Sequence, residues 1–418
     1  MYKKEDPMRR SFLVLVLGFG YPLAAVAQVP AEATPAAEEP VPPASPATPP
    51  TPTPEPPAPT PAAATTTAPA PAPPAPATPP PVAFGWEALV DAYYLYNFTG
   101  DPKSQAPLFR QFDTTANNFA LNYAKLGVHA ETQLVSFRMD IGAGHAAAII
   151  NNSGTLFSAP GSSATPSDTT SLYGHGLLVQ QAFATVRPAS FLAIDAGKFV
   201  TSASAEVIEA NKNWLYSRSL LFFGVPLLHT GLRVNIAPTP SLAIMLEICN
   251  GWNNDPDINN AKTLGGNVTW APPNAGLTAG ITTYVGKEGG PDGDNTRLLL
   301  DGVFLKDLGN LAVGANLDYF KLGDAYWFGG SAMGRLILSD MFNVAARAEY
   351  LKSKNNGYYT GPDAALYEVT AQVAWTMDKH YELRLEGRAD MSDHEIFAKD
   401  TTPRTNQITG LLAALAYF

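Results

Sequence analysis

The side chains able to do chemistry in this chain are charged residues set two apart. Glu382, Arg384, Glu386, Arg388 and Asp390 alternate with Tyr381, Leu383, Leu385, Gly387 and Ala389, and the pairs Arg347/Glu349 and Arg138/Asp140 repeat the spacing. An α-helix would scatter these charges around its circumference, whereas a strand gathers them on one face. A charged row on one face acts electrostatically: it attracts, repels or sieves, and it transforms nothing. Arg233, Glu247 and Arg335 join the set as further lining candidates.

Catalytic constellations are thin by comparison. The six histidines, His129, His145, His175, His229, His380 and His394, are scattered along the chain. Ser392-Asp393-His394-Glu395 holds hydrolytic residue types, but triad members are brought together by folding, not by adjacency in sequence. Gly142-Ala143-Gly144 before His145 imitates part of a dinucleotide fingerprint, yet it closes a strand pattern and opens no βαβ unit. Asp255, Asp257 and Asn259, and likewise Asp292 and Asp294, lack the central glycine and distal glutamate of a calcium loop, so they read as solvated turns. Cys249 is the only cysteine, which allows neither an intrachain disulfide nor a multi-cysteine metal site. It reads as a packed or lumen-facing residue without chemistry. No enzyme, cofactor or metal is expected.

The elements that position the charges are long strands. Besides Tyr381–Asp390, the segment Phe342–Leu351 separates Phe342, Val344, Ala346, Ala348 and Tyr350 from Asn343, Ala345, Arg347, Glu349 and Leu351. Tyr367, Val369, Ala371, Val373 and Trp375 oppose Glu368, Thr370 and Gln372, and Val135, Phe137, Met139 and Ile141 oppose Ser136, Arg138 and Asp140. Alternation alone fits a soluble sandwich or a membrane barrel turned inside out. Three features choose the barrel. Many segments alternate for about nine to twelve residues, the length of a tilted membrane crossing. Trp86, Tyr94, Tyr96, Phe98, Phe342, Tyr350, Tyr367 and Trp375 sit towards strand ends, where lipid meets water. Short turns such as 237–240, 307–310, 339–341 and 378–380 alternate with long polar loops at 145–173, 253–262, 287–296, 352–364 and 392–404. The expected fold is therefore all-β, a transmembrane antiparallel barrel of about sixteen strands. These fall near 86–98, 119–131, 133–144, 176–187, 190–201, 228–236, 241–252, 263–271, 276–286, 297–306, 311–321, 327–338, 342–351, 365–377, 381–391 and 405–418. An even number puts both termini on one side, the periplasm of a bacterial outer membrane.

Composition agrees. Only 15% of the 418 residues are charged, while 46% are apolar, and the mean hydropathy is −0.04. The body nonetheless holds no apolar run of the roughly 20 residues a membrane helix needs. An excess of 37 acidic over 27 basic residues argues against a nucleic-acid partner. Residues 1–27 read as a secretory signal peptide, with Arg9 and Arg10 before an apolar centre and Ala25-Val26-Ala27 at the cleavage site; translation could start at Met1 or Met8. Residues 28–83 hold 22 of the 38 prolines, too many to bury a core, and read as a disordered, extended periplasmic linker. The barrel domain is then 84–418.

Between the fifth and sixth strands the period of two disappears. Residues 203–220 carry Glu206, Glu209, Lys212 and Arg218, and read either as a loop folded into the pore, narrowing it, or as an external helical cap. Here the chain resembles a known family. Ala196-Gly197-Lys198-Phe199-Val200-Thr201, Ala205-Glu206-Val207-Ile208-Glu209, Asn213-Trp214-Leu215-Tyr216-Ser217-Arg218-Ser219, His229-Thr230-Gly231-Leu232-Arg233 and Asn250-Gly251-Trp252-Asn253-Asn254 are similar to blocks of the putative β-barrel porin-2 family of bacterial outer membranes. The chain departs from it at Ser204, where the family more often has glycine. The terminal Tyr417-Phe418 looks like the aromatic ending read by the barrel assembly machinery. The resemblance implies an outer-membrane diffusion pore with no catalytic residues. The expected function is a porin passing ions and small hydrophilic solutes, with outer-membrane lipids around it and a mild cation preference; a homotrimer is compatible with the sequence. The alternative is a structural, envelope-tethering barrel whose working part is the proline-rich tail.

Overall fold

The computed structural model describes residues 82–100, 107–156, 176–257, 259–288, 295–399 and 402–418. The expected signal peptide, nearly all of the linker, and His175, Asp292 and Asp294 lie outside the described residues. Sixteen strands form the barrel: β1 (Ala83–Asn97), β2 (Asn118–Glu131), β3 (Val135–Ala143), β4 (Leu178–Ala189), β5 (Leu192–Val200), β6 (Leu228–Thr239), β7 (Leu242–Cys249), β8 (Thr263–Trp270), β9 (Leu277–Glu288), β10 (Asn295–Asp307), β11 (Leu311–Leu322), β12 (Ala325–Ile337), β13 (Phe342–Lys354), β14 (Ala365–Asp378), β15 (Tyr381–Ser392) and β18 (Asn406–Tyr417). Each pairs antiparallel with its neighbours in sequence, and β1 closes on β18 from Leu89↔Tyr417 to Asn97↔Thr409. Closure removes every free edge, the condition for a sheet to lie in hydrocarbon. A small hairpin, β16 (Phe397–Lys399) with β17 (Thr402–Arg404), rises from the last loop and was not expected.

The expected faces are the observed ones. On β15, Glu382, Arg384, Glu386, Arg388 and Asp390 are buried inside, while Leu385 on the outer face is 64% exposed. On β14, Val369, Val373 and Trp375 look out while Glu368, Thr370 and Gln372 look in. Outward aromatics gather in two belts. Phe342 stacks on Trp375 at 6.2 Å near the short turns, and Tyr94–Phe119 (4.8 Å) and Tyr350–Tyr367 (5.4 Å) pair near the long loops. At the turn end His380 stacks on Phe418 at 4.8 Å and its Nδ1 lies 2.8 Å from the Tyr417 carbonyl, which holds the C-terminus in place.

Two local departures matter for the interior. The segment after Gly144, expected as loop, begins with helix α1 (His145–Leu156), which packs Ala146, Ala147 and Ile150 inward against β2 and β4. The register also slips by one residue at Asn122 against Asp91 and at Gln180 against Asp140. Each bulge turns two successive side chains inward, Asn122 with Tyr123 and Gln180 with Gln181, all four buried.

Replacing Leu385 by Arg puts a charge on the apolar outer face in mid-strand. Equilibrium refolding into lipid vesicles should show a loss of about 2–4 kcal/mol, whereas the same measurement on the turn-end variant Met377→Arg should show much less.

Candidate functional site: a loop strapped across the lumen

β5 stops at Val200 and β6 starts at Leu228; residues 201–227 turn into the barrel, so the inward loop, not the external cap, is what this sequence builds. The loop contains a single 3₁₀ turn (Ala210–Lys212) and a short helix α2 (Leu220–Phe223), whose Ser219 Oγ accepts from the Phe222 amide at 2.9 Å. Ser204, where the resembling family favours glycine, has φ of +81°. Left-handed backbone is costly for a residue with a Cβ. Here the hydroxyl offsets the cost, accepting from the Glu206 amide at 3.1 Å and lying 3.4 Å from Asn316 Oδ1.

Backbone buried in a lumen must find partners for its N–H and C=O groups, and the inward faces of distant strands supply them. Glu386 accepts from the Tyr216 amide at 2.8 Å and the Ser217 amide at 3.2 Å, and Gln372 also accepts from Tyr216. Glu349 accepts from the Leu220 amide at 2.8 Å, and Asn316 from the Ala205 amide at 2.8 Å. The loop reciprocates through side chains: Tyr216 donates its hydroxyl to Asp91 at 2.7 Å, and Asn122, turned inward by its bulge, bonds both Asp91 and Tyr216. At the β9 wall, Ser202 meets the Tyr284 hydroxyl at 3.0 Å.

Two charge clusters flank the loop. On the β13–β15 side, Arg347 forks onto Glu368, reaches Glu206 at 2.8 Å, and donates to the Ser217 carbonyl at 2.9 Å. Arg388 pairs with Asp390 at 2.7 Å and donates to the Arg218 carbonyl at 2.6 Å, while Arg384 pairs with Glu382 at 3.0 Å. On the β1–β4 side, Lys125 binds Glu209 and Asp140 (2.9 Å) and Glu87 (3.0 Å). Arg138 also reaches Glu87 and Asp140, and Gln180 donates to Glu209 at 3.0 Å. Burial alone would raise the pKa of Glu209, but the facing Lys125 and Lys212 ammonium groups prevail and hold it well below the usual carboxylate range.

The charged residues singled out from the sequence thus face the interior, but they divide by use. Arg218 is buried and turned onto the carbonyls of Val207, Ile208 and Tyr216, so it staples the loop to itself. Arg233 pairs with Asp195 at 2.9 Å and lies over Phe199; Glu247 sits 3.5 Å from the Tyr284 hydroxyl. The more accessible ones are Lys212, 3.5 Å from Glu87, and Arg335, which lies over Trp214 at 5.6 Å. The sequence reading missed Glu87, Asp91 and Lys125 as lining residues, although each occupies the inward parity of its strand. It also left His229 as a scattered histidine, whereas the barrel places it beside Glu247 and Cys249.

A family model described as putative beta-barrel porin-2, OmpL-like, matches residues 83–418. No curated protein sequence matches the chain. Among solved structures, the anion-selective porin from Comamonas acidovorans is similar with a TM-score of 0.54 and 11% identity, covering 81% of this chain and 100% of that one. The outer membrane channel DcaP of Acinetobacter baumannii gives 0.55 and 10%, over 81% and 97%. OmpF of Salmonella typhi, solved in complex with daunomycin, gives 0.54 and 11%, over 80% and 97%. At these identities the likeness is one of fold: an outer-membrane porin barrel.

The anchoring generates two expectations. Glu386→Ala strands the buried Ser217 amide and leaves the Tyr216 amide with Gln372 alone, so hydrogen exchange at Ser217 should accelerate roughly 30-fold, about 2 kcal/mol, and less at Tyr216, with Glu386→Gln milder because it keeps an acceptor. The pH response has a definite sign. A carboxylate whose folded pKa lies below its unfolded value of about 4.3 contributes stability above that value and loses it only as pH falls through the folded one. Protection of the loop amides, taken relative to their intrinsic exchange rates, should therefore stay flat from pH 7 to about 4.3 on account of Glu209. In Lys125→Met, with the counter-charge gone, loosening should set in at higher pH.

Proposed function

The chain belongs to the putative β-barrel porin-2, OmpL-like family, and from that premise we propose that it is a passive porin of the bacterial outer membrane, admitting ions and small hydrophilic solutes, with both termini at the periplasmic turn end. The observation that carries this reading is the inward loop anchored to both charged walls, which is how a barrel narrows its passage without closing its sheet. The passage in this reading borders the loop's half-buried face, Val207, Asn211, Lys212 and Trp214, with Glu87 and Arg335 opposite. Solute size is limited by the loop, and charge by the field of the interior, where buried carboxylates outnumber buried cations. That excess supports a mild preference for cations, a property of these side chains and not of the fold, since one fold neighbour is an anion-selective porin.

Planar-bilayer recording of the purified barrel tests the proposal. Discrete conductance steps are expected, with a reversal potential in a salt gradient of the cation-selective sign. Lys212→Glu should move that potential further in the same direction, and removal of residues 29–83 should leave the steps unchanged. A folded, heat-modifiable barrel that stays silent would sink the porin reading and favour a tethering role for the tail.

A further inference from the structure

We propose that His229, Glu247 and Cys249 form a binding site for one zinc-class divalent cation in the barrel wall. One ligand atom from each lies within 4.8 Å of the others, and all three side chains are buried. His229 Nδ1 is 3.5 Å from Cys249 Sγ and 3.7 Å from Glu247 Oε1. A tetrahedral ion with ligand bonds of about 2.0–2.3 Å separates its ligands by roughly 3.3–3.8 Å, so these two spacings need little adjustment. The Gly251 carbonyl, 3.2 Å from the same Nδ1 and 3.8 Å from Sγ, stands where a fourth ligand would.

The strands make room for the three side chains. In the ladder Cys249 faces Gly231 on β6, and Glu247 faces Gly265 on β8. A Cβ on Gly231 would come within 3.0 Å of the Cys249 Cβ, and one on Gly265 within 3.1 Å of the Glu247 Cβ. The Tyr284 ring stacks on His229 at 4.4 Å and closes the site, and His229 Nε2, at 3.4 Å from Thr201 Oγ1, has an outer partner that fixes the ring.

A second, independent observation points to a cation. Glu247 is 1% exposed at its side chain, yet beyond the neighbouring Cys249 thiol its Oε1 finds no hydrogen-bond donor. Arg233, the residue opposite it, directs its guanidinium to Asp195 instead. A buried carboxylate with only a weak thiol donor at that oxygen is costly, and a metal ion beside Nδ1 and Sγ satisfies it. The donor set names the metal class. Calcium and magnesium require oxygen ligands, whereas a thiolate, an imidazole and a carboxylate suit zinc. The charges also close: Zn²⁺ with one thiolate, one carboxylate and a neutral imidazole sums to zero, which suits a buried place. On binding, the Cys249 S–H bond breaks, an S–Zn bond forms, and the proton leaves to the buffer.

The test uses the full mature chain, folded, reduced and stripped of metal. Titration with Zn²⁺ against a chromophoric chelator should give one equivalent per chain, and Co²⁺ should develop a thiolate-to-metal charge-transfer band. Cys249→Ser and His229→Ala, checked for folding by heat-modifiability, should each lower the affinity at least tenfold and, for Cys249→Ser, abolish the band. Zn²⁺ should also slow alkylation of Cys249 in the native protein. A folded wild-type barrel that shows no Co²⁺ thiolate band, or a folded Cys249→Ser variant that binds Zn²⁺ as well as wild type, overturns the site. That outcome would leave the conductance of the barrel, and hence the porin reading, untouched.

Discussion

A loop that enters a barrel buries much of its backbone, and the N–H and C=O groups it carries there must be answered from the wall or from the loop itself. That constraint organises the interior. Glu386, Glu349, Gln372 and Asn316 stand on four different strands, each accepting a loop amide. Arg347 and Arg388 do the converse and donate to loop carbonyls. The inward side chains are therefore placed by the backbone they satisfy, and a strand that slipped by one residue would withdraw its whole inward set at once.

The ion pairs sit on this scaffold and depend on it. Buried pairs contribute little net stability, because desolvation offsets attraction, but breaking one partner is severe. Here they set position. Glu206 and Glu209 are three residues apart on the loop and reach opposite clusters, the first to Arg347 and the second to Lys125. Moving the loop towards either wall exposes a charge on the other, so the two contacts together define one resting place. The bulges at Asn122 and Gln180 serve the same end. Each brings an extra polar side chain to the face that meets Tyr216 or Glu209.

The sequence made the barrel legible because membrane strands obey a strict period of two over a long span. All sixteen expected strands lie within about three residues of the observed ends. The charged ladder on β15 was legible for the same reason. What escaped was set by tertiary contact. Nothing local distinguishes a loop folded inward from one folded outward, since the partners of Tyr216 and Leu220 lie far along the chain on β13 to β15. A bulge has no period to betray it, and helix α1 interrupts a stretch whose composition resembles a loop. The meeting of His229, Glu247 and Cys249 escaped for the same reason. Counting both strands back from the turn at 240–241 would set Cys249 opposite Leu232, but the register shifts by one between Ile236 and Thr239, which brings Cys249 opposite Gly231 with His229 one inward step further on.

The same geometry changes what a charged inward row means. The loop-end flank of the interior is apolar: Leu220, Leu221 and Phe222 pack with Phe112, Trp327 and Tyr358, and Phe109 stacks on Tyr358 at 5.6 Å. An apolar constriction dewets, so in the proposed porin water and ions must follow the other flank, past Lys212 and Glu87. Most charges recognised from the alternation do not meet a passing solute at all. Arg347, Glu349, Glu386 and Arg388 hold loop backbone, and Arg218 holds the loop to itself. They act on a permeating ion only as a fixed background field. In that reading close discrimination falls to the few groups that remain accessible, Lys212, Glu87 and Arg335.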